Sequence, residues 1–199
     1  MVKVNKSLME QALDKTKSET RFLLVVALLV AVMFTIVMLN TFVFFNVQIK
    51  GPSMQPTMYT DDVLIANRKK APTYGSIIII SGEKTNGDWL IKRVIAMQGD
   101  TVEIREDGLV YVKYKDGQDF VKIDEPYVFR QGVTDSRDWT TRTLSDGEIF
   151  YLGDNREHSS DSRDQKFFTC DSSQVVGVVE EWSFSFKNFY KKIGKLIKR

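Results

Sequence analysis

The chemistry of this chain is concentrated in three short stretches, and the first is "IKGPSMQPTMYTDD", Ile49 to Asp62. It sets Ser53 between Pro52 and Met54 in a loop too rich in proline to be a helix. Serine beside glycine and proline is a common turn residue. As a nucleophile it needs a base to take its proton, most often histidine. The chain contains one histidine, His158, far along the sequence. Any other base must be a lysine, a carboxylate or an α-amine.

A lysine at its ordinary pKa of about 10.4 is neutral in well under ~0.1% of molecules at pH 7. Burial in apolar surroundings can lower that pKa by roughly three units, at a cost near 4 kcal/mol. The candidate is therefore a lysine embedded in an apolar strand. In "LIKRVIAM" a two-residue period puts Lys92 on one face with Leu90, Val94 and Ala96. The other lysines stand in turns, tails or polar runs. On its own, Lys92 also reads as an edge-strand lysine reaching water along its stem.

The third stretch, "GDNREHSSDSRDQ" from Gly153 to Gln165, packs Asp154, Arg156, Asp161 and Arg163 among hydroxyl and amide side chains. It can be a self-paired surface turn. It can equally orient a neutral lysine through a serine hydroxyl and hold that serine with ion pairs.

The elements that must position these groups begin with an apolar run. Residues 22 to 39, "FLLVVALLVAVMFTIVML", carry no charge, and apolar character continues to Val47. Phe22 to Phe45 as a helix spans roughly 36 Å, enough for a bilayer core. Lys3, Lys6, Lys15, Lys17 and Arg21 precede it, which places the N-terminus in the cytoplasm and the chain after about Lys50 outside. A cleaved signal peptide would have a shorter apolar region followed by small residues, unlike Val47 to Lys50.

Beyond the span the pattern is mainly β. Runs at Val63–Asn67, Ser76–Ile80, Trp89–Met97, Thr101–Glu106, Leu109–Tyr114, Glu148–Leu152 and Val175–Val179 are β-branched or aromatic. Asp107-Gly108 between two of them signals a hairpin. Residues 124–147 are polar and strand-poor, an expected excursion over the surface. The organisation expected is a cytoplasmic segment 1–21, a transmembrane helix 22–45, a β-domain 46–186 and a basic amphipathic tail 187–199. That tail either rests on anionic lipid or is simply solvated.

The chain's 28 basic and 26 acidic residues nearly balance, which offers no argument for nucleic acid as a partner. The lone Cys170 cannot form an intramolecular disulfide and reads as a small buried hydrophobe.

Taken in order after an N-terminal span, "GPSMQPT", "IKRVIAMQGDTVE" and "GDNREHSSDSR" resemble the bacterial type I signal peptidases, membrane-anchored Ser/Lys endopeptidases. The resemblance covers residues 20 to 165. It implies Ser53 as nucleophile, Lys92 as general base and Ser159 as the hydroxyl that orients the lysine. Asp154 with Arg93, and Asp161 with Arg163, would be ion pairs holding the last motif. The backbone N–H of Ser53 would contribute to an oxyanion hole. Gly51 stands where some relatives carry a hydroxyl residue, so its backbone would have to complete the hole.

The same resemblance implies an extracytoplasmic domain of antiparallel β-sheets with a smaller β-rich insertion. The substrates implied are membrane-tethered preproteins with small residues at the first and third positions before the cut. Ile49, Met54 and the Ser76–Ile80 strand are candidate pocket walls. Neither cofactor nor metal is called for, and the oligomeric state is not read from the chain. The expected location is the plasma membrane, with one span and the catalytic domain on the outer face. A self-cleaving repressor-like protease would lack the membrane span. A non-catalytic assembly factor or a plain anchored binding domain would not require Ser53, Lys92 and Ser159 together.

Overall fold

A computed structural model describes residues 6–82 and 87–184. The chain divides into two units, residues 1–43 and 44–199. The first is a single helix, α1 (Lys6–Phe42), of 37 residues. Its stretch Leu13–Phe42 is long and apolar enough to cross a membrane. Thr20, Thr35 and Thr41 turn their hydroxyls back onto the carbonyls four residues earlier, at 2.8–2.9 Å, so none is left unpaired on an apolar helix. The helix starts well before Phe22, so most of the expected N-terminal segment is helical. It stops at Phe42, three residues short of the expected end. Phe44 and Phe45, apolar enough to continue it, instead enter a strand because they pair across to Asn67 and Ala66.

The second unit is mainly β, and every strand pairing in it is antiparallel. Its strands are β1 (Phe44–Gln48), β2 (Val63–Asn67), β3 (Ile77–Ile80), β4 (Leu90–Met97), β5 (Thr101–Ile104), β6 (Val110–Lys113), β7 (Val121–Lys122), β8 (Arg142–Thr143), β9 (Glu148–Leu152), β10 (Cys170–Asp171) and β11 (Val175–Val179). Seven form one sheet in the order β1-β2-β11-β3-β4-β9-β10, and the other four form a sheet in the order β7-β6-β5-β8. The smaller sheet is an insertion between β4 and β9. Its hairpin turns at Asp107-Gly108, where Gly108 has φ +71° and its N–H bonds the Arg105 carbonyl at 2.9 Å.

The insertion is not a loose excursion. Trp139 and Leu144, both from the polar stretch 124–147, are buried with Val102, Val110 and Val112 of the small sheet and Phe150 and Leu152 of the large one. Trp139 completes its burial by donating its indole N–H to the Val102 carbonyl at 3.3 Å. Cys170 is buried, as a small hydrophobe would be.

The large sheet packs two further apolar clusters. One joins Ile49, Met54 and Met58 of the serine loop to Leu64, Ile77 and Ile79. The other joins Ile78, Val94, Ile149 and Tyr151. In β4 a register shift falls between Val94 and Ala96, so Val94 pairs with Tyr151 while Ala96 pairs with Phe150. The expected row of Leu90, Lys92, Val94 and Ala96 is therefore broken at its end. The bulge turns Ala96 into the cluster that contains Phe150.

Candidate active site

Ser53 is carried by the loop between β1 and β2. The prolines lead to an expectation of extended backbone at Gly51 and Gln55, but the loop is a succession of turns. Gly51 has φ +83°, a region open to glycine, and the Gln55 N–H closes a turn onto the Pro52 carbonyl at 3.0 Å. Met54 and Met58 anchor the turn in the core, both essentially fully buried. The serine hydroxyl is thus offered from a turn whose apolar residues are fixed below it.

Lys92 reaches this hydroxyl from β4. Its Nζ lies 3.2 Å from Ser53 Oγ and donates to the Ile91 carbonyl at 2.9 Å. The residue is only 3% exposed. Burial lowers its pKa to about 8, against the opposing pull of the Asp161 and Asp154 carboxylates. Those carboxylates lie close but are committed to arginines, so the ammonium form gains little from them. At pH 7 roughly a tenth of such lysines are neutral, several hundred times the fraction in water.

Asp154 is fully buried and accepts the Arg93 Nε at 2.8 Å and its Nη2 at 2.6 Å, a two-pronged pair. The Thr57 hydroxyl adds a third bond to Asp154 at 2.5 Å, tying the serine loop to the same carboxylate. Asp161 and Arg163 are likewise paired without exposure, Nε to Oδ1 at 2.8 Å and Nη2 to Oδ2 at 3.0 Å. Despite its burial, Asp161 is held below the usual carboxylate range by Arg163 and the Gly153 N–H. Both pairs expected from the sequence are formed.

Ser159 differs from expectation. Its hydroxyl is buried close to Asp161, whose carboxyl it helps hold low, and the bonds of Lys92 go to Ser53 and Ile91. Ser159 Oγ instead packs over Gly153, where a Cβ would collide with it and come within 2.6 Å of the Ser53 carbonyl. His158 is exposed, and its Nδ1 meets only the Asn155 side chain, at 3.3 Å.

A groove of about 480 Å³ opens beside Ser53 and Lys92, walled by residues 46–50 and 88–92 and by Met54. Ile49 and Met54 belong to this wall. The Ser76–Ile80 strand does not: Ile78 and Ile79 are fully buried in the core, one strand behind Lys92. Ile77 lines a separate cavity of about 260 Å³ beside Arg93.

Several residues of the site gave no sequence signal. Glu125 forms a buried ion pair with Arg156, whose Nη1 also donates to Thr134 at 2.7 Å. Tyr127 donates to Glu125 at 3.0 Å and lays its ring 3.9 Å from the Arg93 guanidinium carbon. Arg137 reaches the Ser159 carbonyl at 2.7 Å. Apart from Tyr127 and Glu125, these partners lie 22 to 34 residues apart, beyond the reach of any local pattern. The basic tail, residues 187–199, lies outside the described residues.

A mainly β-domain after an apolar helix, with a serine and a buried lysine at one groove, has the architecture of an anchored peptidase. The family model described as "Signal peptidase, peptidase S26" matches residues 20–184, and the chain belongs to that family. A signal peptidase I from Bacillus caldolyticus is 34% identical over 165 residues, 76% of this chain and 85% of that protein. One from Bacillus licheniformis is 29% identical over 196 residues, 92% and 99% of the two chains. A crystal structure of a signal peptidase I from Enterococcus faecalis V583 is 28% identical, with a TM-score of 0.42 over 56% of this chain and 98% of that one.

Proposed function

We propose that this peptidase removes N-terminal signal peptides from exported preproteins after small residues, with Ser53 as nucleophile and neutral Lys92 as general base. The observation that carries the reading is the 3.2 Å approach of Lys92 Nζ to Ser53 Oγ by a lysine whose pKa burial lowers to about 8. As Oγ attacks the scissile carbonyl, its proton passes to Nζ. The carbonyl oxygen takes the negative charge within reach of the Ser53 N–H and the Gly51 backbone. The Lys92 ammonium then protonates the departing amine, and a water activated by the neutral lysine releases the acyl group from Ser53.

The groove suits an extended peptide. Among the described residues, β1 pairs only with β2, and β4 pairs with β9 only from Arg93 onward. Residues 46–50 and Leu90–Lys92 therefore present edges without a paired strand to the groove, with the Ile91 carbonyl already taken by Lys92 Nζ. Arg93–Asp154 and Asp161–Arg163 brace the segments that carry the base and Ser159. The apolar walls at Ile49 and Met54 fit small side chains next to the cut.

The basic residues before the apolar run orient it with the N-terminus in the cytoplasm and the β-domain on the outer face of the plasma membrane. The partners are membrane-tethered preproteins and the bilayer. Holding enzyme and precursor in one membrane raises their effective concentration. The test is incubation of the detergent-solubilised chain with a precursor bearing alanine at the first and third positions before the cut. Wild type should cleave it, and Ser53→Ala and Lys92→Ala should not. Cleavage that survived both substitutions would refute the dyad.

A further inference from the structure

The segment that faces Lys92 is held by an arginine from outside the three motifs. Ser159 and Asp161 lie on the chain after β9, and its main chain must be fixed if their side chains are to keep their places. The Ser159 carbonyl accepts Arg137 Nη1 at 2.7 Å. The same Nη1 meets both oxygens of Asp164, at 2.9 and 3.0 Å, and Asp164 in turn accepts the Asp161 N–H at 3.2 Å. Arg137 Nη2 extends to the Arg156 carbonyl at 3.4 Å, which also receives Arg163 Nη2 at 2.7 Å. One guanidinium thus touches three points between residues 156 and 164.

Arg137 is itself rigidly presented. It sits two residues before the buried Trp139, and the intervening Asp138 N–H bonds the Arg163 carbonyl at 3.0 Å. Its backbone has φ +48°, a left-handed conformation uncommon for arginine. Such conformations persist where the surroundings enforce them. Its side chain is 24% exposed, so most of it is committed to these contacts.

We infer that Arg137 is a positioning residue for catalysis, which holds the main chain from Arg156 to Asp164, and with it the Asp161 carboxylate that bears on Lys92, and so maintains the lysine's environment. This role rests on the proposed Ser53/Lys92 reaction. The charged groups that bear on Lys92 are Asp161 with its partner Arg163 on the chain after β9, and Asp154 with its partner Arg93 on β4; the serine loop contributes the uncharged Ser53 hydroxyl. Without Arg137, Asp164 loses its cation, and the Ser159 and Arg156 carbonyls lose a donor that fixes the chain on which Asp161 stands. Lys92 then faces an environment that is more negative and better hydrated, which favours its ammonium form.

The experiment compares full-length wild type, Arg137→Ala and Arg137→Lys in detergent on the alanine-bearing precursor. Arg137→Ala should lower kcat about ten-fold with KM within about two-fold, and move the basic-side midpoint of the kcat–pH profile upward. Arg137→Lys keeps the charge but loses the planar fork, so the midpoint should return toward wild type with only part of kcat. A ¹³C NMR titration of Lys92, assigned by its loss in Lys92→Met, should show the same upward shift without turnover. That arm separates the two readings: an inactive wild type defeats the proposed reaction, whereas an unmoved Lys92 titration defeats the role of Arg137. Unchanged kcat, or a loss accounted for by the unfolded fraction in thermal melts, would also overturn it. Should Arg137→Ala fail to fold, a folded Arg137→Lys with wild-type kcat and titration would overturn it equally.

Discussion

The Ser53 carbonyl accepts the Asn155 N–H at 3.0 Å, so the turn that offers the hydroxyl and the loop after β9 are joined through main chain at Ser53 itself. Asn155 adds its side-chain amide to the Pro52 carbonyl at 3.2 Å. Ser53, Lys92 and Ser159 come from three separate segments, and these bonds, with Thr57 on Asp154, hold two of the three together. Each expectation below perturbs one part of that assembly.

Activity should follow the neutral fraction of Lys92. The ratio kcat/KM is expected to rise about ten-fold per pH unit below a midpoint near 8 and to level off above it. A profile flat from pH 6 to pH 9 would count against Lys92 as the base.

The same burial makes Lys92 a cost to folding. Its pKa is lowered from 10.5 to about 8, so across that window the unfolded chain holds the extra proton and stability rises with pH. Lys92→Met should abolish that rise and stabilise the β-domain at pH 7 by about 1–3 kcal/mol while eliminating cleavage. Denaturant melts at pH 7 and pH 10 measure both effects.

Gly153 leaves no room for a side chain. Gly153→Ala should push the Ser159 hydroxyl or the Ser53 carbonyl aside, and a displacement near 1 Å is expected to cost about 100-fold in kcat. Steady-state kinetics should show this loss with KM little changed.

Glu125 and Arg156 are nearly inaccessible, 4% and 1% exposed at their side chains. Glu125→Ala leaves a buried guanidinium uncompensated and should destabilise the β-domain by about 3–5 kcal/mol. It also frees Tyr127, whose hydroxyl bonds Glu125 and whose ring covers Arg93. A denaturation midpoint equal to that of wild type would contradict the reading.

His158 should prove dispensable. Exposed and hydrogen-bonded to Asn155, it should be replaceable, with His158→Ala retaining most cleavage activity. A loss of 100-fold or more would require another proton path.

Much of the site was legible because its chemistry demands unusual local sequence. A lysine inside an apolar strand and a dense charged loop after another strand are conspicuous, and β2, β3, β4, β5, β6, β9 and β11 fall within the expected runs, whereas β1, β7, β8 and β10 lie outside them. What stayed hidden depends on partners distant in sequence. Phe44 and Phe45 look like the end of a membrane helix until β2 supplies their pairing. Ala96 shares the period of Lys92 until a bulge, invisible to alternation, moves it across the sheet. Polar residues between 124 and 147 look solvated, yet Glu125, Thr134 and Trp139 are buried because arginines and the small sheet meet them there.

The bare main-chain edges at the groove also carry a hazard. An unpaired strand invites any passing strand, including one from a second copy of the same chain. On β1 the side chains of Asn46 and Gln48 are exposed, with Lys50 just beyond, and Gln48 is tied back to Asp61 at 3.2 Å. Apolar strands that stack by their side chains find little to hold on this rim, while a single extended peptide can still use the backbone. The polar rim therefore works as a guard against self-association at the β1 edge, which the proposed function needs open.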